Sequence, residues 1–175
     1  MEWLRQIIEK LLSIFPRLLI INPDEAGFRV TLGKYVSPVG PGWYIHWPLI
    51  QEIDTITVTP QVKDVRVQSV WSSDHINLCI GLAIKYRIKD AKAAQLNIQD
   101  YDQSLQNSAL VACVEYVTDH LKDEIIILDM NESLTKILQA KARGWGIDVQ
   151  DVSVTDVGIA RNIRLLTNPA IVSEE

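Results

Sequence analysis

Apolar residues recur along this chain with two periods, and the places where the period changes mark the elements. From Glu2 to Leu19 the period is helical. On a wheel drawn at ~100° per residue, one arc holds Trp3, Leu4, Ile7, Ile8, Leu11, Leu12, Ile14, Phe15, Leu18 and Leu19. The other arc holds Glu2, Arg5, Gln6, Glu9, Lys10, Ser13, Pro16 and Arg17. The spacing predicts an amphipathic helix over residues 3–19, about 25 Å long. Pro16 falls on its polar side and should bend it there. Such a face must be buried against a core, a partner helix or a lipid surface.

Beyond the breaker Asn22-Pro23-Asp24 the period shortens to that of strands. Ala26–Leu32 reads as a first strand, Gly33–Gly42 as a turn-rich stretch, and Trp43–Trp47 as a short strand with Trp43, Ile45 and Trp47 on one face. Ile50–Thr59 and Gln61–Val70 follow as strands rich in Val, Ile and Thr, separated around Pro60. His75–Ile88 carries the strictest alternation, through Ile76, Leu78, Ile80, Leu82, Ile84, Tyr86 and Ile88. That is the mark of a long antiparallel strand with one face on a core.

The helical period then returns. Asp90 is placed to cap a short helix over Ala91–Leu96. Asp100, with Gln103 at the reciprocal position of a capping box, opens a longer one running to about Lys122. Leu105, Ala109, Ala112, Cys113, Tyr116, Val117 and His120 mark its buried side. Ile125–Leu128 reads as a link, Asn131 as the cap of a third helix, and Gly144 as its stop. Ile147–Ile159 closes the pattern as a strand. The parity change between Val149 and Val152 predicts a bulge near Gln150-Asp151.

The order implies an α+β domain, a mainly antiparallel sheet with helices packed on one side. The expected organisation is a membrane-associating amphipathic helix over residues 1–21, the domain over residues 22–160, and a short polar-ended tail over residues 161–175. The tail has no heptad repeat, so no long C-terminal coiled coil is expected from it.

Composition narrows the choices. At 175 residues the chain is long enough for one domain with its own core plus an appendage. The net charge of −5, without a basic cluster, argues against nucleic acid as partner. No segment offers the ~20 apolar residues of a spanning helix, and Glu2, Glu9 and Pro16-Arg17 spoil a cleavable signal. Cys79 and Cys113 lie in apolar surroundings without CxxC spacing, as expected of two buried thiols in a reducing compartment.

Several stretches together resemble the SPFH or band 7 superfamily of stomatins, prohibitins and flotillins, most nearly its stomatin-like members. Asn22-Pro23-Asp24-Glu25-Ala26-Gly27 resembles the family's entry strand. Gly33-Lys34-Tyr35 followed by Gly40-Pro41-Gly42-Trp43-Tyr44-Ile45-His46-Trp47-Pro48 resembles its hairpin. Tyr86-Arg87-Ile88-Lys89-Asp90 with Ala94 resembles its strand-to-helix join, and Trp145-Gly146-Ile147-Asp148-Val149 with Asp156-Val157 its closing strand. The resemblance covers about residues 22–160. It implies a non-enzymatic, self-associating scaffold on the cytoplasmic face of a membrane, organising membrane proteins or lipids.

Candidate chemistry does not compete with that reading. Ser72, Ser73, Asp74 and His75 are sequence neighbours at a turn, whereas a triad draws its members from separate scaffold elements. Turn chemistry explains them better. His46, His75 and His120 lack metal-ligand spacing. Glu115, Asp119 and Asp123 form an acidic strip of the kind that usually faces solvent. Gly40-Pro41-Gly42 lacks the residues of a phosphate loop. No catalytic residue, cofactor or metal is expected.

Trp43 and Trp47 either add to a core from one strand face or reach a membrane interface, where indole rings are favoured. The membrane-binding set is therefore Trp3, Leu4, Ile7, Ile8, Leu11, Leu12, Phe15, Leu18, Leu19, Trp43 and Trp47. The expected partners are a lipid surface, further copies of the chain, and a membrane protein or protease. The rival reading is a soluble interaction or regulatory module, such as a membrane-protease regulator, whose N-terminal helix docks on a protein partner.

Overall fold

The computed structural model describes Glu2 and residues 15–160. Residues 3–14 of the helix expected over residues 3–19, and the tail 161–175, lie outside the described residues. Within them the chain forms eight strands and three α-helices, an α+β architecture in which every strand pairing is antiparallel. The strands divide into three small sheets.

The first sheet is a ribbon of β1 (Arg17–Ile21) and β4 (Gly42–His46). Residues 17–19 were expected at the end of the helix, and here the structure corrects the reading. Leu18 pairs with Ile45 and Ile20 with Trp43 across a strand ladder. The run Leu18–Ile21 is apolar at every position, so its period cannot separate helix from strand, and the partner strand decides. Pro16, which lacks an amide proton, favours a boundary just before the strand.

The second sheet has the order β3 (Tyr35–Val39), β2 (Glu25–Thr31), β5 (Gln51–Thr57). The stretch read as turn-rich therefore contains a strand. Leu32–Lys34 forms the turn between β2 and β3, with Leu32 and Gly33 at positive φ, 55° and 65°, and the chain bends again at Pro41. Pro38 hid the strand from a sequence reading, but β3 is an edge, where proline is tolerated.

The third sheet, β6 (Gln61–Trp71), β7 (Asn77–Ile88), β8 (Ile147–Ile159), carries the main core. Leu78, Ile80, Leu82, Ile84, Tyr86 and Ile88 on one face of β7 are all buried. Over that face pack α2 (Tyr101–Asp119), through Leu105, Ala109, Ala112, Cys113 and Val117, and α3 (Ile127–Lys141), through Met130, Leu134 and Leu138. Burial pushes the Cys113 thiol up to about 11, which keeps it protonated and inert. Cys79 is only half-buried, contrary to expectation. The bulge expected near Gln150 is present, since Lys85 pairs with Asp151 and Tyr86 with Val149. A second one skips Thr155.

The joins depend on a few polar contacts. Asp90 caps α1 (Ala91–Leu96) by accepting from the Ala93 amide at 3.1 Å, and Asp100 caps α2 by accepting from the Gln103 amide at 2.9 Å. The reciprocal half of the capping box expected at Asp100 does not form. The Gln103 side chain donates to Asn107 instead. Gly146 has φ 75°, and a Cβ there would lie 2.4 Å from the Asp90 carbonyl oxygen. Its own carbonyl accepts from the Lys89 and Asp90 amides at 2.8 and 3.0 Å. The chain entering β8 is thereby locked onto the chain leaving β7.

Helix α3 begins four residues before the expected cap Asn131. Freed from capping, Asn131 accepts from the Val154 amide at 2.9 Å. Thr135 Oγ1 accepts from the Val152 amide at 2.9 Å, and Gln139 Nε2 donates to the Val149 carbonyl at 2.9 Å. One row of α3 thus seals the outer edge of β8 from 149 to 154, which prevents further strand pairing there.

Candidate functional site

The ribbon places apolar side chains where no described element covers them. In an antiparallel pair, directly opposed residues share a face. Leu18, Ile20, Trp43 and Ile45 therefore point the same way, and they are 57, 55, 74 and 65 % exposed. Phe15 before the ribbon and Trp47 after it are exposed too. Neither strand contains a carboxylate, and Arg17 is the one lysine or arginine of the pair. The surface is aromatic and aliphatic, and Arg17, opposed to His46, lies on the other face of the ribbon.

The opposite ribbon face turns inward. Ile21 is buried, and the Tyr44 hydroxyl accepts from the Gly40 amide at 3.2 Å. Leu19 and His46 line a cleft of about 580 Å³ with Val30, Leu32, Ile50 and Ile53. His46 Nδ1 is buried there without a described partner. Leu19 thus lies on the other side of the ribbon from Leu18, which corrects its placement beside Leu18 on one helical face. A strand separates neighbours that a helix groups together.

Of the expected membrane-binding residues, the structure brings Leu18 and Trp43 onto one surface and leaves Phe15 and Trp47 exposed at its ends. Trp3, Leu4, Ile7, Ile8, Leu11 and Leu12 lie outside the described residues. Ile20 and Ile45 belong to the surface and were missed as site residues. The parity of Trp43-Tyr44-Ile45 could have indicated Ile45, but Ile20 required the register with β4.

The remaining candidates are structural. Ser72 is buried, hydrogen-bonds Asp74, and its oxygen accepts from the Ile76 amide at 3.2 Å. The Ser72 hydroxyl beside Asp74 holds that carboxyl below the usual range. His75 stands exposed at φ 61°. His120 stacks on Tyr116 with centroids 4.2 Å apart, and its Nδ1 lies 2.7 Å from the Tyr116 carbonyl. Glu115 pairs with Lys141 at 3.3 Å, while Asp123 sits beyond the end of α2. No group of His, Cys, Asp and Glu among the described residues has the geometry of a metal site. No helix among them is long and apolar enough to cross a membrane.

A polar cluster ties α2 to the sheet. Lys63 Nζ donates to Asp102 at 2.6 Å, and the Tyr86 hydroxyl donates to the other Asp102 oxygen. Burial acts to raise the Asp102 carboxyl, but the bonds from Lys63 and Tyr86 overcome it and hold the group below its ordinary value. Burial, reinforced by Asp102, pushes the Tyr86 phenol upward.

Comparison with known proteins agrees with this architecture. An uncharacterized protein of Methanocaldococcus jannaschii is 24% identical over 164 residues, covering 93% of this chain and 82% of its own length. A stomatin homolog of Pyrococcus horikoshii is 22% identical over 149 residues, 84% of this chain and 56% of its own. Stomatin-4 of Caenorhabditis elegans is 24% identical over 152 residues, 83% of this chain and 53% of its own. The chain thus spans little more than half the length of these stomatin-named relatives. The model of the SPFH domain / Band 7 family matches residues 19–166, from the ribbon through the closing strand, and the chain belongs to that family.

Proposed function

We propose that this chain is a non-enzymatic, stomatin-like scaffold of the membrane surface on its cytoplasmic side. The amphipathic segment and the outer face of the ribbon both rest on lipid. Self-association through the domain organises membrane proteins or lipids. The observation that carries the reading is the surface of Leu18, Ile20, Trp43 and Ile45, placed immediately after the amphipathic pattern. Indole and aliphatic side chains together suit the boundary between headgroups and acyl chains. The absence of carboxylates from the ribbon strands removes the repulsion that an anionic leaflet would otherwise impose.

Glu2 and Glu9 largely offset Arg5 and Lys10, so affinity comes from apolar area more than charge. An interfacial helix by itself binds reversibly. A second contact on the same chain and further copies of the chain multiply the residence time.

Liposome flotation tests the proposal. The full chain should float with anionic and with neutral vesicles. Trp43→Ser combined with Ile45→Ser should lower the bound fraction without lowering the melting temperature. Removal of residues 1–14 should lower it further, and the cut must stop there because residue 17 begins β1. Equal flotation of all variants, or of none, would sink the lipid reading. A lipid-independent oligomer that disperses on Leu11→Asp would replace it with docking of the helix on protein.

A further inference from the structure

The sheet β6-β7-β8 has two unlike free margins, and we infer that they fit each other between copies of the chain. One margin is the end of β8. The α3 row that seals this strand stops at Val154. The bulge at Thr155 resets the parity, and the Ala160 amide turns inward to the Asn77 carbonyl at 2.9 Å. The outward backbone groups beyond the seal are therefore those of Val157 and Ile159. No described side chain bonds them. Their side chains lie on the core face of the sheet, paired with Ile80 and Leu78, yet they are 41 and 61 % exposed.

The other margin is β6, the opposite edge of the same sheet. Beside it, on the helix-covered face, lies an apolar cavity of about 360 Å³ lined by Gln68, Asn107, Leu110, Val111, Val114 and Glu115. Gln68 Oε1 is buried there without a partner.

The margins match in level, in face and in charge. Gln68 pairs with Ile80, and Ile80 with Val157, so these residues form one row across the sheet. A second copy displaced along that row brings its Gln68 beside Val157 of the first, with parallel strands. The Val157 side chain then enters the cavity against Leu110, Val111 and Val114 of the second copy. Arg66 and Asp156 are both exposed, and neither forms an ion pair with a described residue. They border Val157 and Gln68 at the same level and take opposite charges to the joint.

The free stretches also match in length. The β6 bulge between Val65 and Gln68 leaves Gln68–Val70 regular and level with Val157–Ile159 beyond the α3 seal. Such a contact joins unlike surfaces, so each copy keeps one margin free and assembly proceeds to a ring or a filament. The inference rests on the self-associating scaffold reading above and gives it a surface.

Cysteine cross-linking in the full-length, vesicle-bound protein tests it. In a Cys79→Ser background, Val157→Cys with Gln68→Cys should give a ladder of cross-linked dimers and larger species on mild oxidation. Either substitution alone, or Val157→Cys with Val62→Cys, should give none. Val157→Asp should reduce the particle to monomer mass in detergent while circular dichroism stays unchanged. Dimers from a single substitution would mean like-to-like pairing and overturn the contact. An oligomer by mass with no ladder would overturn it and leave the scaffold reading intact. A monomer on lipid would overturn both the contact and self-association.

Discussion

Residues 17–58 and residues 61–160 handle their apolar side chains in opposite ways. In the second region a single sheet receives two helices, and its alternating and helical patterns consume each other. The core residues from Val65 to Val152 form one cluster. In the first region the strands make a ribbon and a three-stranded sheet with no helix of their own, and one ribbon face has no internal partner. The same kind of strand pattern therefore means core where a second layer exists and an external surface where none does.

That contrast can be broken experimentally. Leu138→Ala in the closed region should cost about 2–5 kcal/mol, because this α3 side chain is fully buried in the core cluster. Trp43→Ala in the open region should stay within about 0.5 kcal/mol despite removing a larger group. Urea unfolding of both variants measures the difference, and a Trp43 cost equal to that of Leu138 would mean that the ribbon face is core after all.

A smaller effect is expected at the hinge between β7 and β8. Gly146→Ala combines a positive φ with a 2.4 Å approach to the Asp90 carbonyl, and should destabilise by more than about 1 kcal/mol. The melting temperature should fall while flotation of the folded protein is retained. Asn131→Ala should cost about 1 kcal/mol by unsealing the Val154 amide, and hydrogen exchange should speed up first at residues 152–154.

The smallest effect concerns pH. Asp102 is held below its ordinary 3.8 by Lys63 and Tyr86, so its contribution is fully present above that value. It is lost as pH falls through the lowered native value. The stability of Asp102→Asn should therefore converge on that of the parent as the pH falls below about 4, and should lie below it at pH 7. A constant gap down to acid pH would show that the ion pair contributes nothing to the profile.

The resemblance to the SPFH family was carried by residues that turn out to hold the fold. Tyr86 bonds Asp102, Asp90 caps α1, and Gly146 accepts two amides. Such positions are visible in a sequence because backbone geometry admits few residue types there. Asn131 was legible as a polar residue near a helix start, but its use against β8 was not. The helix began earlier, on residues with no capping side chain. The candidate surface was only half legible. Trp43 and Leu18 stand out as apolar residues, but nothing local makes them neighbours.

The sequence by itself determined the succession of elements apart from β1 and β3, the bulge at Gln150, the two aspartate caps and the family, because each depends on local periodicity or local backbone chemistry. Tertiary structure alone decided that residues 17–21 are strand, that Leu18 and Leu19 face opposite ways, and that Ile20 joins Trp43. Those facts depend on which strand lies alongside. An unbroken apolar run carries no period from which its partner could be read.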